Sequence, residues 1–457
     1  MKITALALFL SVTAALTATA QKPAPKAPAT PSILDLKDGD TFVFYGDSIT
    51  HQSLYTQYVE DFFYTRYPDR RILFHNAGVS GDKAADALAR FEDDVAVFKP
   101  KYVSVLLGMN DGQYEDFNGE TFSTYRKGMT EILDKVEKIG ATAIPLSPTM
   151  FDHHQLSLQI KTDDFRFKDR TFSPQYNSLM AFYSAWLRET AGSHHLPFVN
   201  LWGPLNDYTF DQRRKNPDFS LVEDTIHPGP AGQFIMAYSL ISQFRPDRRG
   251  VSSISVIKKG DQWTSKCSGA KVTGIVASDE GDILTFIAEE RSLPWVVPDA
   301  SSKYELKWGP AKSPALGMKL TAAGHRLSNQ RLQIAGLKPG TYELLIDDQA
   351  VGEYTHLQLG FKIELQSNSK TPQYQQAMEV ALLNRDRNDE AVRPLRDTWA
   401  RVKGLRRKGD SKKFDEEYPK LKSKIDALNR SASDYEQRIY TRAKPIARKY
   451  QLRRKGE

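Results

Sequence analysis

Ser48 stands in the run Gly46-Asp47-Ser48-Ile49-Thr50, directly after the apolar stretch Phe42–Tyr45. That stretch reads as a buried strand. A serine just past it suits a tight strand-to-helix turn, which lifts the hydroxyl to the carboxyl end of a sheet, where open α/β folds place their active sites. A serine hydroxyl is a poor nucleophile at neutral pH; it needs a base within hydrogen-bond reach, and that base needs a third group to orient it. His227, in Asp224-Thr225-Ile226-His227-Pro228, is the candidate base. Asp224 lies three residues earlier, so one tight turn can carry both, the carboxylate holding the ring nitrogen that faces away from Ser48. Two more blocks follow apolar runs: Asn76-Ala77-Gly78-Val79-Ser80-Gly81 after Ile72–Phe74, and Gly108-Met109-Asn110-Asp111 after Tyr102–Leu107. A lone Ser48 would read as the cap of the helix beginning near Gln52. The four blocks in order make catalysis the better reading.

Those four blocks resemble the SGNH (GDSL-type) hydrolase superfamily, over roughly residues 40 to 246, about half of the chain. The resemblance implies a three-layer αβα sandwich of flavodoxin-like kind around a parallel sheet. It implies a serine carboxylic-ester hydrolase without a cofactor, with Ser48, His227 and Asp224 as catalytic residues. It also implies an oxyanion hole built from the backbone N–H of Ser48, the backbone N–H of Gly81 and the side-chain amide of Asn110. Donors of this kind are worth about 3–4 kcal/mol each. A glycine at position 81 makes chemical sense, because without a Cβ its backbone can approach a ligand closely. Asp47 and Asp111 look catalytic but read better as residues that tie the two turns by side-chain to backbone bonds.

Secreted members with an appended β module resemble bacterial polysaccharide deacetylases. The expected activity is therefore hydrolysis of O-acyl, chiefly O-acetyl, esters on a carbohydrate by an exported esterase. The rivals are a lipid-directed esterase such as a lysophospholipase, and a non-catalytic glycan- or envelope-binding protein on the same fold. The expected partner is an acylated carbohydrate, with no nucleic acid and no transmembrane segment; composition says nothing of oligomeric state.

The elements that must position these groups alternate. Strand-like runs at Thr41–Tyr45, Ile72–Phe74, Tyr102–Leu107, Ala143–Leu146 and Phe198–Asn200 are separated by helical patterns such as Asp82–Phe98 and Glu120–Ile139. That alternation argues for a parallel sheet covered on both faces. Loops after the strands shape the pocket of such folds. His51, Tyr114, Phe151, His153 and Trp202 are accordingly the candidate substrate-binding residues, the loop Thr149–Ser173 being long enough to suggest a role. The histidine pairs His153-His154 and His194-His195 are adjacent, so neither shares a helix face, and no metal site is expected.

Outside the catalytic half, residues 1–20 read as a signal peptide: Lys2, the apolar stretch Ala5–Leu16, and Ala18-Thr19-Ala20 before a cleavage point after Ala20. The expected location is periplasmic or extracellular. A Pro/Ala linker at 21–33 leads into a catalytic domain at 34–248, a β-rich region at 251–365 and a basic helical segment at 371–457. Trp263, Trp295 and Trp308 in the β-rich region read as core residues, with a sugar platform as the alternative. Cys267 is the single cysteine of 457 residues, so no intramolecular disulfide can form and the fold must rest on its core. Lys370–Glu457 holds 24 Lys/Arg and 13 Asp/Glu, a net +11 against +7 for the whole chain, so the remainder carries −4. The basic character therefore belongs to the tail and gives no reason to expect an anionic substrate. The tail's helices are expected to buttress the catalytic domain or, alternatively, to hold the protein on anionic glycan.

Overall fold

The computed structural model describes residues 34–160, 172–244, 250–299 and 312–456. The expected signal peptide, the linker at 21–33, Phe165 and Phe167 of the long loop, and Trp308 lie outside the described residues. Among the described residues, no helix is long and apolar enough to cross a membrane.

Strands β1 (Thr41–Gly46), β2 (Leu73–Gly78), β3 (Tyr102–Leu106) and β4 (Thr142–Leu146) form a parallel sheet in the order β2-β1-β3-β4. Strand β1 is buried along its whole length because both faces are covered, which is why it reads as one apolar run. Its residues alternate between two cores. Phe42 and Phe44 meet α2 (Leu54–Arg66) and the helix Pro230–Phe244. Val43 and Tyr45 meet the helices Gly119–Lys138 and Tyr176–Ser193. The result is the expected αβα sandwich. The fifth strand read at Phe198–Asn200 shrinks to a single bridge between Leu146 and Val199. Its bonds run from Val199 N–H to Pro145 O (3.1 Å) and from Ser147 N–H to Val199 O (2.9 Å), and the chain then turns into a helix at Trp202.

Beyond Gly250 the chain builds two further sheets. One is antiparallel, in the order β11 (Gln349–Thr355), β10 (Thr341–Ile346), β13 (Arg448–Arg454), β8 (Ile283–Glu290), β7 (Ala270–Ala277). The other runs β12 (Ile363–Glu364), β9 (Gln330–Ala335), β5 (Ser252–Lys259), β6 (Gln262–Ser268), with β5 and β9 parallel. Residues of both, among them Val256, Phe286, Ile334, Leu344 and Leu452, close one core.

The β-rich stretch also carries helices, Pro314–Thr321, Ala323–Leu327 and His356–Phe361. The tail read as a basic helical segment carries its helices and then ends in β13, inserted at the centre of the antiparallel sheet. Only Tyr450 and Leu452 are fully buried there, and the basic residues on either side, Arg448, Lys449, Arg453 and Arg454, mask a period-two pattern. Trp295 is a core residue: its ring packs on Phe62 and Phe234 at 5.3 and 4.8 Å.

Helices Pro372–Arg387, Arg393–Lys408 and Ser411–Ala443 form an arm that lies on the sandwich. All 13 residues of α2 are buried, including Glu60 and Asp61, because the arm covers the face that would otherwise meet water. Asn384 donates to Asp61 Oδ1 (2.8 Å), and Arg387 bridges Glu60 (3.1 Å) and Glu436 (3.0 Å). Arg396 reaches Asp94 at 2.7 Å beside Arg90 at 2.6 Å. Burial would raise the Asp94 carboxyl, but Arg396, His75 and Arg90 outweigh it and hold the group well below the usual carboxylate range.

Candidate active site

Strand β1 ends at Gly46, where a Cβ would sit 2.7 Å from the Leu106 carbonyl oxygen, so only glycine lets the chain turn here. Asp47 caps the next turn, its Oδ1 accepting from Ile49 N–H at 2.9 Å. Ser48 opens α1 (Ser48–His51) at the carboxyl end of the sheet. Its Oγ lies 2.8 Å from His227 Nε2, and His227 Nδ1 lies 2.7 Å from Asp224 Oδ2. The other oxygen of Asp224 accepts from the backbone N–H groups of Ile226 (3.0 Å) and His227 (2.6 Å), so the carboxylate is fixed on its own turn. That turn needs a positive φ of 79° at Thr225, a strained value for a β-branched residue.

Burial would lower the basicity of His227, but the charge and hydrogen bond of Asp224, with the charge of Asp47, raise it above the ordinary histidine value of 6.5. Asp224 moves the other way: burial would raise it, yet the His227 charge and the bonds it accepts hold it low. Asp47 is pushed up to about 7 by burial.

Gly81 is exposed with φ +71°. Asn110 directs its amide at Asp82 O (3.1 Å) and Asp47 Oδ2 (3.4 Å), while Tyr114 donates to its Oδ1 at 3.1 Å. Asp111 ties the two loops as expected, accepting from Ala84 N–H (2.8 Å) and Gly108 N–H (3.0 Å). Ser48, His227 and Asp224 thus form one chain of hydrogen bonds, and Asn110 reaches Asp47, the residue before Ser48. Such an arrangement can activate a hydroxyl and receive a developing negative charge.

The candidate substrate residues fare differently. His51 faces the loop after β2, its Nδ1 accepting from Ser80 N–H (3.2 Å) and its Nε2 3.1 Å from Asp397 of the arm. Phe151 has no exposed surface, and Tyr114 is 7 % exposed; both pack against Tyr176 in the core behind Asn110, Phe151 edge to face. Neither can wall a cleft as the sequence led us to expect: aromatics after a strand served packing. Trp202 is half-buried, its indole N–H committed to Asn177 Oδ1 at 2.9 Å. His153 opens the short helix His153–Ile160 and is half-buried. Sequence reasoning missed Asp397 and Lys403, which reach the site from the arm; more than 300 residues separate them from the motifs they touch, and spacing carries no signal of that.

The chain matches the GDSL-like lipase/acylhydrolase family over residues 44–234. It is 32 % identical to the acetylxylan esterase of Geobacillus stearothermophilus over 231 residues, 46 % of this chain and 96 % of that protein. The protein belongs to this family and is an esterase of the acylhydrolase class. Among solved structures, it is similar to a gut microbial diltiazem-metabolizing enzyme, with 26 % identity and a TM-score of 0.79. That likeness covers 93 % of this chain and all of the other, so it extends through the β sheets and the arm.

Proposed function

We propose that the protein is an exported serine esterase that removes O-acyl groups, chiefly O-acetyl, from a carbohydrate through an acyl-Ser48 intermediate. The observation that carries this reading is the 2.8 Å contact of Ser48 Oγ with His227 Nε2, continued at 2.7 Å to Asp224. His227 takes the Ser48 proton as the hydroxyl attacks the ester carbonyl. Asp224 holds the ring in the required tautomer and balances the imidazolium. The carbonyl oxygen, now negative, is received by the N–H groups of Ser48 and Gly81 and by Asn110, whose long 3.4 Å contact to Asp47 is the one a ligand would replace. His227 then protonates the departing alcohol, and water repeats the sequence to free the acid.

The carbohydrate and acetyl parts of the reading draw support from the acetylxylan esterase relative, matched over nearly its whole length. Export draws support from the basic start, apolar stretch and small residues of the first 20 positions. The test is a chain-length series of nitrophenyl esters run beside acetate release from acetylated xylan and other acetylated polysaccharides. Acetyl esters should be the fastest, and Ser48→Ala should be silent. A preference for long acyl chains would replace the carbohydrate with a lipid, and inertness of the intact protein toward every ester would leave only a binding role. Diltiazem belongs in the same panel, because the whole-chain likeness is to an enzyme that metabolizes it. Export is checked separately by the N-terminal sequence of the protein recovered outside the cytoplasm, expected to begin at Gln21.

A further inference from the structure

The loop that carries Gly81 is a β-turn. Asp82 N–H donates to Val79 O at 3.2 Å, which makes Ser80 and Gly81 the central pair. The φ of +71° at Gly81 is the value a type II turn requires at its third position. Type I and type II turns differ by a flip of the central peptide, here Ser80–Gly81, and glycine tolerates both. The flip matters because this peptide owns the Gly81 N–H. A trans peptide is planar, with its C=O and N–H pointing in opposite directions. Whatever holds the Ser80 oxygen therefore decides where the Gly81 hydrogen points.

The arm holds it. Lys403, on the helix Arg393–Lys408, donates from Nζ to Ser80 O at 3.1 Å. The same ammonium is paired with Asp82 Oδ1 at 2.6 Å, and it lies 3.8 Å from Asp86. The Lys403 side chain is only 12 % exposed and that of Asp82 has no exposed surface, so the anchor is a sheltered one. Apolar packing keeps the helix in place: Val79 itself sits in a cluster with Leu395, Trp399 and Val402. The other side of the turn is also tied to this helix, since Ser80 N–H donates to His51, whose second ring nitrogen is 3.1 Å from Asp397.

We propose that Lys403 is a positioning residue for the oxyanion hole: it selects the orientation of the Ser80–Gly81 peptide that offers the Gly81 N–H to substrate, and its charge polarises that peptide. This rests on the reading of Ser48 as nucleophile and Gly81 as oxyanion donor. Lys403→Met should lower kcat on a small nitrophenyl ester by about 10- to 100-fold, a part of what a whole lost donor costs, with KM little changed. Affinity for a boronic acid that forms a tetrahedral adduct on serine should fall by a similar factor. Lys403→Arg, which can still donate to the carbonyl, should recover most of the rate. Arg407→Met breaks a neighbouring ion pair on the same helix, 2.8 Å to Asp86, without touching the turn, and should keep the wild-type rate.

A methionine variant that stays folded and keeps kcat within about threefold, or loses only KM, would overturn the proposal. If it unfolds, Lys403→Gln takes its place with the same readouts; two variants that both unfold would make Lys403 a stability residue and overturn it as well. Ser48→Ala run in parallel separates the failures. An active alanine variant sinks the nucleophile reading, whereas a dead one beside a full-rate Lys403→Met sinks only the role of Lys403.

Discussion

The sandwich and the arm handle charge in opposite ways. The sandwich keeps carboxylates where water cannot reach them: Glu60, Asp61, Asp82 and Asp94 are each at most 1 % exposed in the side chain or overall. The arm is rich in cations and sends a few of them inward, Arg387 to Glu60, Arg396 to Asp94 and Lys403 to Asp82. Burying a charge without a partner is expensive, whereas a paired and hydrogen-bonded one is tolerated. The two regions are therefore halves of one charge arrangement. The net +11 of the tail, which composition alone leaves open to a role in binding glycan, is partly spent on the sandwich.

The hardest blow to this comparison is removal of residues 371–457. If the arm completes the sandwich, the truncated chain should lose its cooperative melting transition and its solubility, because α2 and its carboxylates become exposed and β13 leaves the centre of its sheet. Thermal melting and gel filtration read this directly; a truncated protein as stable and active as the whole would make the arm an independent appendage.

Next in size is the chemistry, which the comparison assigns to the sandwich. Ser48→Ala and His227→Ala should each lower ester turnover by about 10⁵- to 10⁶-fold while leaving the melting temperature near wild type, since members of one catalytic unit are not additive. Steady-state rates beside a melting curve check both halves of that statement.

A single contact sharpens the comparison further. Arg387→Met leaves Glu60 and Glu436 buried without their shared cation, and should destabilise the fold by about 3–5 kcal/mol. Denaturant titration measures this, and a loss below about 1 kcal/mol would mean that Asn388 and Tyr64, which also donate to these carboxylates, suffice.

The smallest effect is a displacement along the pH axis. His227 must be neutral to accept a proton, so kcat/KM should rise with pH to a plateau, with its midpoint above 6.5. Asp224 is what holds that midpoint up against burial. Asp224→Asn should therefore move the acid limb to lower pH, and should cost at least about tenfold less in rate than losing His227. A limb that stays in place would take Asp224 out of contact with the ring's charge.

Much of the site was legible because its parts are local. Ser48, Gly81 and Asn110 each stand directly after a strand that reads as an apolar run, and Asp224 and His227 share one turn. Aromatic residues were legible as apolar but not as to destination. Tyr114 and Phe151 follow strands just as the motif residues do, yet they turn into the core, because a ring with a large apolar face gains more from packing than from water. The terminal strand β13 was hidden for a different reason: only two of its seven residues are fully buried, too few to show an alternation through so many cations.

By itself the sequence determined the elements and the chemical vocabulary: the parallel sandwich, the candidate serine with its histidine and aspartate, and the place where the chain leaves the sandwich for something else. Those features are written in neighbouring residues, and period and spacing suffice to read them. Only the tertiary structure decided where the cations of the basic tail go. Lys403 meets Ser80, and Arg387 meets Glu60, across more than 300 residues of chain. Nothing in the local pattern of a charged helix says which buried carboxylate, or which peptide of the loop after β2, it will come to hold. That pairing is fixed by the packing of the arm's apolar face, Leu395, Trp399 and Val402, against Val79, and packing exists only once the chain has folded.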